Sequence, residues 1–230
     1  MLPWQTLDKV NTNEGVLELR KRGEKDFLIT IGGRVLMTSA SHRSEDVLAN
    51  VACDAIAKVP TPRVLLGGLG MGFTLQAALL RLPRKAIVDL VELNPTVVTW
   101  CRGPLAGLTQ NAIADRRVNV ITAGVARVVS SAEAGAYDAI IVDLYEGPHN
   151  NRPGDPLYGT AAIKSAWKAL RPGGVFAVWS EEPDHIFEER MNEGGFELQR
   201  IRSGSGRVHA VYLGVRQDVR GKRPAPKRAK

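Results

Sequence analysis

Cysteine is scarce in this chain: only Cys53 and Cys101 occur in 230 residues. Each falls in a stretch that reads as helical, so a disulfide-stapled scaffold is excluded. Two buried thiols in a reducing cytoplasm are expected instead. Long hydrophobic runs are missing too, which excludes a membrane-spanning helix. No secretory leader is expected, because Asp8, Glu14, Glu18 and the Lys21-Arg22 pair interrupt any apolar run. Internal repeats are absent, and no cluster of residues suggests a metal.

Negative charge is short only at one end. The formal net charge is +7 and the pI about 9.6. The segment Arg216 to Lys230 holds seven Lys/Arg and one Asp, a net of +6, which leaves +1 for residues 1–215. The body of the chain is therefore close to neutral. The Pro-rich end, RGKRPAPKRAK, cannot bury a core and reads as a disordered basic tail over 216–230. Such a tail touches nucleic acid or anionic lipid non-specifically; no specific nucleic-acid partner and no membrane partner are expected.

What is present fits one domain of ordinary size with a small addition. Apolar residues make up 44% of the chain, enough for a core, and 23 glycines permit tight strand-to-helix turns. Residues 1–43 read as a small β-domain. Val16–Arg20 and Phe27–Ile31 flank a charged turn, and Gly32-Gly33 turns the chain into Val35–Met37, the spacing of an antiparallel hairpin or meander. Ser44 is placed as the cap of a helix with Glu45 and Asp46 in its first turn, and Pro60 and Pro62 end it.

Residues 44–215 carry a different pattern. Short apolar runs at Val64–Leu66, Ala86–Val91, Val118–Ile121, Ala139–Val142 and Val175–Trp179 alternate with helical stretches from Phe73, Pro95, Val125 and Thr160. That alternation predicts parallel strands buried on both faces with right-handed crossovers. Arg171-Pro172-Gly173-Gly174 is expected to stop the fourth of those helices. Phe196–Ile201 and Val208–Val215 should close the sheet as a hairpin across Gly204-Ser205-Gly206. The fold class is α/β, a Rossmann-like class I methyltransferase fold with a mostly parallel seven-stranded sheet.

Ligands of such sheets bind beyond the carboxyl ends of the strands. Gly67-Gly68-Leu69-Gly70-Met71-Gly72 follows the first strand, where glycines let the backbone approach a nucleoside and start a helix. Gly68, Leu69, Gly70 and Gly72 are candidate cofactor contacts. Glu92 ends the second strand, 20 residues past Gly72, where a carboxylate accepts both ribose hydroxyls. Leu93 beside it and Val125 after the third strand are further candidates. Asp143 ends the central strand at the cleft mouth, suited to orient an amine and accept its proton, with Glu146 as the second carboxylate. Glu181 and Glu182, with Tyr145, are candidate substrate contacts, since adjacent acids attract a cation.

These pieces resemble the spermidine synthase (polyamine aminopropyltransferase) family over about Ser44 to Val215. The matching segments are the glycine loop, Val91-Glu92-Leu93-Asn94, the strand ending in Asp143 with an acid three residues on, Pro156-Leu157-Tyr158-Gly159, Leu170-Arg171-Pro172-Gly173-Gly174 and Ser180-Glu181-Glu182-Pro183. The resemblance implies decarboxylated S-adenosylmethionine as donor, a polyamine amine as acceptor and a homodimer. It makes Asp143 the catalytic aspartate and Glu92 the ribose ligand. Departures accompany it. The glycine loop lacks the family's aspartate, Gly124-Val125-Ala126 replaces a Gly-Asp-Ala, and the Tyr of a Tyr-x-Glu segment is missing from Ser41–Asp46. Each lost charge-assisted hydrogen bond weakens binding by about 1.5–3 kcal/mol. Three readings stay open: an aminopropyltransferase, an S-adenosylmethionine-dependent methyltransferase acting on a small molecule, and a non-catalytic spermidine synthase-like binding protein.

Overall fold

The computed structural model of the protein describes residues 2–148, 154–203 and 209–217. Its first sheet is an antiparallel meander of β1 (Gln5–Thr12), β2 (Gly15–Arg22), β3 (Asp26–Ile31) and β4 (Arg34–Thr38) in that order. Period-two alternation drives it: Leu17 and Leu19 on β2 sit opposite Ile31 and Ile29 on β3, and all four are buried. Gly32 and Gly33 make the β3–β4 turn with φ of +53° and +80°, as the pair of glycines predicts. The strand β1 was not foreseen. Its residues are mostly exposed, so it shows no buried alternation and is held as an edge by its ladder to β2.

The helix α1 (Arg43–Ala55) corrects two expectations. His42, not Ser44, stands at its N-cap, and no side chain caps it. Ser44 lies inside the first turn and donates its hydroxyl to Glu45 Oε2 at 2.6 Å. The helix also ends at Ala55, before either proline, where the Ile56 N–H turns back to the Cys53 and Asp54 carbonyls.

Seven strands form the second sheet: β5 (Arg63–Gly67), β6 (Ile87–Glu92), β7 (Val118–Thr122), β8 (Tyr137–Val142), β9 (Leu170–Ser180), β10 (Phe196–Ser203) and β11 (His209–Arg216). Their spatial order is β10-β11-β9-β8-β5-β6-β7. β5 to β9 run parallel, and β11 pairs antiparallel with both β9 and β10. The expected α/β class and closing antiparallel pair are both present. The turn placed at Gly204–Gly206 lies outside the described residues, as does the basic tail beyond Gln217. Between strands run α2 (Phe73–Arg81), α3 (Pro95–Arg102), α4 (Val125–Ser131), α5 (Thr160–Ala169) and α6 (His185–Glu193).

Arg171-Pro172-Gly173-Gly174 does not separate helix from strand. It belongs to β9, whose register with β8 slips between Tyr137 and Ala139. The slip has local causes: Gly173 takes φ +78°, and Arg171 leaves the ladder to pair with Asp138 at 2.9 Å. The helix α6 was missed although Asp184 caps it, accepting the Ile186 and Phe187 N–H groups at 2.9 and 3.0 Å. Only Phe187 and Met191 on this helix are buried, too sparse a stripe to reveal a helix after an acidic loop.

The two sheets share a core. Leu17, Leu19, Phe27 and Ile29 of the first pack in one cluster with α1, α2 and α3 of the second. The Trp100 indole N–H on α3 donates to Asp8 Oδ2 on β1 at 2.7 Å, pinning the edge strand down. Cys53 and Cys101 are buried in α1 and α3, and burial pushes both thiols up to about 12. Asp8→Ala leaves the buried Trp100 N–H unpaired and is expected to cost about 1–3 kcal/mol of stability, read as a lower urea midpoint.

Candidate active site

β5 stands at the switch in strand order, with β6 on one side and β8 on the other. The crevice beyond the strand ends therefore opens here. The glycine loop that follows has three residues with positive φ: Gly68 at +94°, Gly70 at +51° and Gly72 at +89°, the last beginning α2. At Gly68 a side chain would strike the Asp143 carbonyl oxygen. At Gly70 a Cβ would lie 2.9 Å from Met37 Sδ, since β4 of the first sheet rests on the loop. The Met71 N–H points at the same sulfur, 3.2 Å away. Leu69 and Met71 turn their side chains into the core, so neither they nor Phe73 project as free groups.

Glu92 is clamped against this loop. One carboxylate oxygen accepts the Leu69 N–H at 3.0 Å and the other the Asn94 N–H at 2.8 Å. Burial raises its pKa, and the backbone N–H groups of Asn94, Leu69 and Leu93 oppose that rise. The carboxylate keeps acceptor capacity beyond these backbone bonds, which suits a hydroxyl donor of a sugar.

Asp143 follows β8, a strand buried at every position. Its N–H bonds the Gly67 carbonyl at 2.8 Å, which locks its backbone to the glycine loop. Its carboxylate accepts the hydroxyl of Thr74, a buried residue in the first turn of α2. Burial pushes the Asp143 carboxyl up to about 7; the Glu45 charge adds to the rise and the Thr74 hydrogen bond opposes it. Part of the residue still reaches solvent at the cleft floor. Glu45 and Thr74 are the two residues that sequence reasoning missed. Glu45 reads as a solvated helix-dipole residue, yet only 9% of it is exposed. The stacking of His42 on Phe73 at 4.3 Å brings the start of α1 onto the start of α2 and accounts for this.

The remaining candidates scatter around this centre. Glu146 is exposed, and it is its backbone carbonyl that accepts the buried Tyr158 hydroxyl at 3.0 Å. Tyr145 is partly covered by the Arg34 guanidinium, 5.8 Å from its ring centre. Glu181 and Glu182 sit exposed past β9, and the Ser180 hydroxyl holds the Glu182 carbonyl at 2.6 Å. Leu93 projects into solvent beside Glu92. Val125 is buried, its methyls 2.8 Å from where a Gly67 Cβ would be, so that glycine lets α4 approach β5. A cavity of about 400 Å³ opens between α4 and α5, with Ala126, Val129, Val142, Leu157, Ala166 and Phe176 on its wall. Among the described residues no cluster of His, Cys, Asp and Glu could hold a metal, and no helix is long and apolar enough to cross a membrane.

The profile of the spermine/spermidine synthase domain matches residues 42–193, from the start of α1 to the end of α6. This chain belongs to the spermine/spermidine synthase family. Within it, the chain is 38% identical over 129 residues to putrescine N-methyltransferase 3 of Nicotiana tabacum, covering 55% of this chain and 32% of that protein. It is 31% identical over 172 residues to a polyamine aminopropyltransferase of Prochlorococcus marinus (strain MIT 9313), covering 74% and 56%. The chain thus spans about a third to about half of the length of these relatives. The spermidine synthase of Thermotoga maritima shares the fold, with a TM-score of 0.74 at 17% identity over 92% of this chain and 73% of that one. The same fold match holds for a spermidine synthase in complex with the transition state analogue AdoDATO, at TM-score 0.74 and 17% identity.

Two outcomes follow from the geometry. Gly68→Ala is expected to lose more than about 2 kcal/mol of stability, through its positive φ and the collision with the Asp143 carbonyl. A denaturation midpoint equal to wild type would contradict that contact. Because the folded Asp143 binds its proton far more tightly than an unfolded aspartate, ionising it costs stability as pH rises from near 4 to about 7. The Tm of Asp143→Asn relative to wild type should therefore climb across that window and stay level above it.

Proposed function

We propose that this chain is a sulfonium-dependent transferase that moves an aminopropyl group from decarboxylated S-adenosylmethionine to the amine of a small acceptor. The observation that carries the proposal is Asp143: a carboxylate raised to about 7, at the switch point, locked to the glycine loop and facing the acidic Glu45. A base of that strength is matched to a proton leaving an amine near neutral pH.

The residues fit the nucleoside part of such a donor. Glu92 offers acceptor capacity for the ribose hydroxyls, and the largely apolar cavity with Ala126 and Leu157 on its wall suits a purine face. The donor supplies an electrophilic carbon beside a positively charged sulfur. The acceptor nitrogen attacks that carbon, the C–S bond breaks with its electron pair retained by sulfur, and a neutral thioether leaves. Asp143 takes the proton that the attacking nitrogen must lose, and the Thr74 hydroxyl fixes which way the carboxylate faces. Most of the acceleration required is positional, two reactants held in line in one crevice. Membership of the spermine/spermidine synthase family supports this reading. Exposed Leu7 on β1 and Leu2 just before it support the expected homodimer through the first sheet.

A second reading, methyl transfer from intact S-adenosylmethionine to a small amine, is favoured by one feature. The glycine loop carries no acidic side chain, so nothing in it repels the methionine carboxylate. The putrescine N-methyltransferase relatives point the same way.

Titration of the purified protein with the two donors separates these readings: tighter binding of the decarboxylated donor is expected, and tighter binding of the intact one would favour methyl transfer. Asp143→Asn should lower kcat by about 10²–10⁴ while leaving donor affinity within a few-fold. In wild type, kcat/KM should rise with pH up to about 7 and then level, because the ionised carboxylate is the active form. Full activity in the Asn variant would remove Asp143 from the reaction.

A further inference from the structure

Four side chains fall in a row along one edge of the second sheet. Glu92 ends β6, Asp143 follows β8, Trp179 stands one residue from the end of β9, and His209 opens β11. Register puts their side chains on one face. Val142 pairs with Val178, so the next residues, Asp143 and Trp179, stand side by side in parallel strands. Trp179 pairs with Val211, and His209 is two residues earlier on that strand, hence on the same face. The Trp179 and His209 rings are in contact, 5.2 Å between centres. With strands about 4.8 Å apart, the row runs from the nucleoside end at Glu92 through the reacting centre to a point roughly 10 Å beyond Asp143.

Trp179 Nε1 and His209 Nδ1 are both buried and have no hydrogen-bond partner in the structure. Buried polar atoms are paired in nearly all native proteins, so two orphans in contact beside a reacting centre point to a ligand group. Their chemistry limits what that group is. An indole N–H only donates, and an ammonium group only donates, so a second amine cannot satisfy Trp179. A hydroxyl accepts from the indole and either donates to or accepts from the imidazole nitrogen, and it needs only water-sized room. The exposed Glu181 and Glu182 lie past the strand end, not among these buried groups.

We propose that Trp179 and His209 form the far end of the acceptor site and read a hydroxyl, so the preferred acceptor is a short amino alcohol rather than a plain diamine. This deepens the transfer reading and rests on it for the placing of the reacting nitrogen at Asp143. The oxygen of that one hydroxyl takes the Trp179 N–H, the same hydroxyl satisfies His209 Nδ1, and three or four carbons span back to the nitrogen.

The test is calorimetric titration of the full chain with 4-aminobutan-1-ol, 1,4-diaminobutane and 4-aminobutanoate, with and without methylthioadenosine. The amino alcohol should bind roughly tenfold tighter than the diamine in wild type, the worth of a neutral hydrogen bond to an otherwise unpaired group. Trp179→Phe keeps the ring and removes the donor; it should bring the two ligands to parity by weakening the amino alcohol alone. Equal or tighter binding of the diamine to wild type overturns the proposal without any variant, and is the outcome if the two nitrogens bind only water. Preference for aminobutanoate, no binding of any of the three, or equal loss of both amines in the variant also overturns it. If the selectivity appears but neither sulfonium donor yields a transfer product, the transfer reading fails and the hydroxyl site stands.

Discussion

The backbone contact between the first and fourth parallel strands governs the rest of the molecule. The Gly67 carbonyl takes the Asp143 N–H, and Gly68 passes so close to the Asp143 carbonyl that no side chain fits between them. This contact fixes the glycine loop against the end of β8, and with it the height at which Asp143 emerges. Around it the sheet has to diverge, because β5 sends its next crossover one way and β8 lies on the other side. The crevice is the result of that divergence. Glu92 and Thr74 then close on it from β6 and α2, each by a hydrogen bond to a group the contact has already placed.

Burial acts on both carboxylates, with unequal opposition. Glu92 accepts three backbone N–H groups that favour its charged form, so its rise is partly offset and its geometry is rigid. Asp143 has one hydroxyl in opposition and a second carboxylate nearby that adds to the rise. The environments thus suit different work: a fixed acceptor of hydroxyl hydrogens at one end, a group that exchanges a proton near neutrality at the other. Glu45 carries part of that difference. Its place comes from α1 lying across the sheet on α2, a tertiary consequence with no local marker.

That distinction separates what the sequence makes legible from what it hides. The parallel strands announce themselves as unbroken apolar runs, and the residues that end them, Gly67, Glu92 and Asp143, are legible because each run stops on them. Strand β1 and helix α6 bury too little to leave a period. The segment Arg171–Gly174 carries a stop signal, Pro followed by two glycines, that tertiary pairing with Asp138 converts into a strand irregularity. Ser44 has the right residue type for a cap but stands two residues too late, its hydroxyl held by Glu45. Helix ends and buried acids are set by neighbours distant in the chain; strand ends in a parallel sheet are set by the run itself.

The neutral glycine loop is tied to the first sheet. Leu69 and Met71 send their side chains into the shared core, and Gly70 faces the Met37 sulfur of β4. An acid at Leu69 or Met71 would bury an unpaired charge, and one at Gly70 would collide with the Met37 sulfur and strain a backbone held at φ +51°. The loop's lack of charge is therefore enforced by the meander resting on it, not by the loop alone. On the proposed reading, a donor in this crevice would meet Glu92 at its ribose and Asp143 at its reacting carbon. On that reading the donor's charged tail meets no acid in the loop, and Glu45 and Asp143 are the carboxylates that would serve it as well as the acceptor. Donor and acceptor selectivity would then be coupled through one pair of carboxylates under α1.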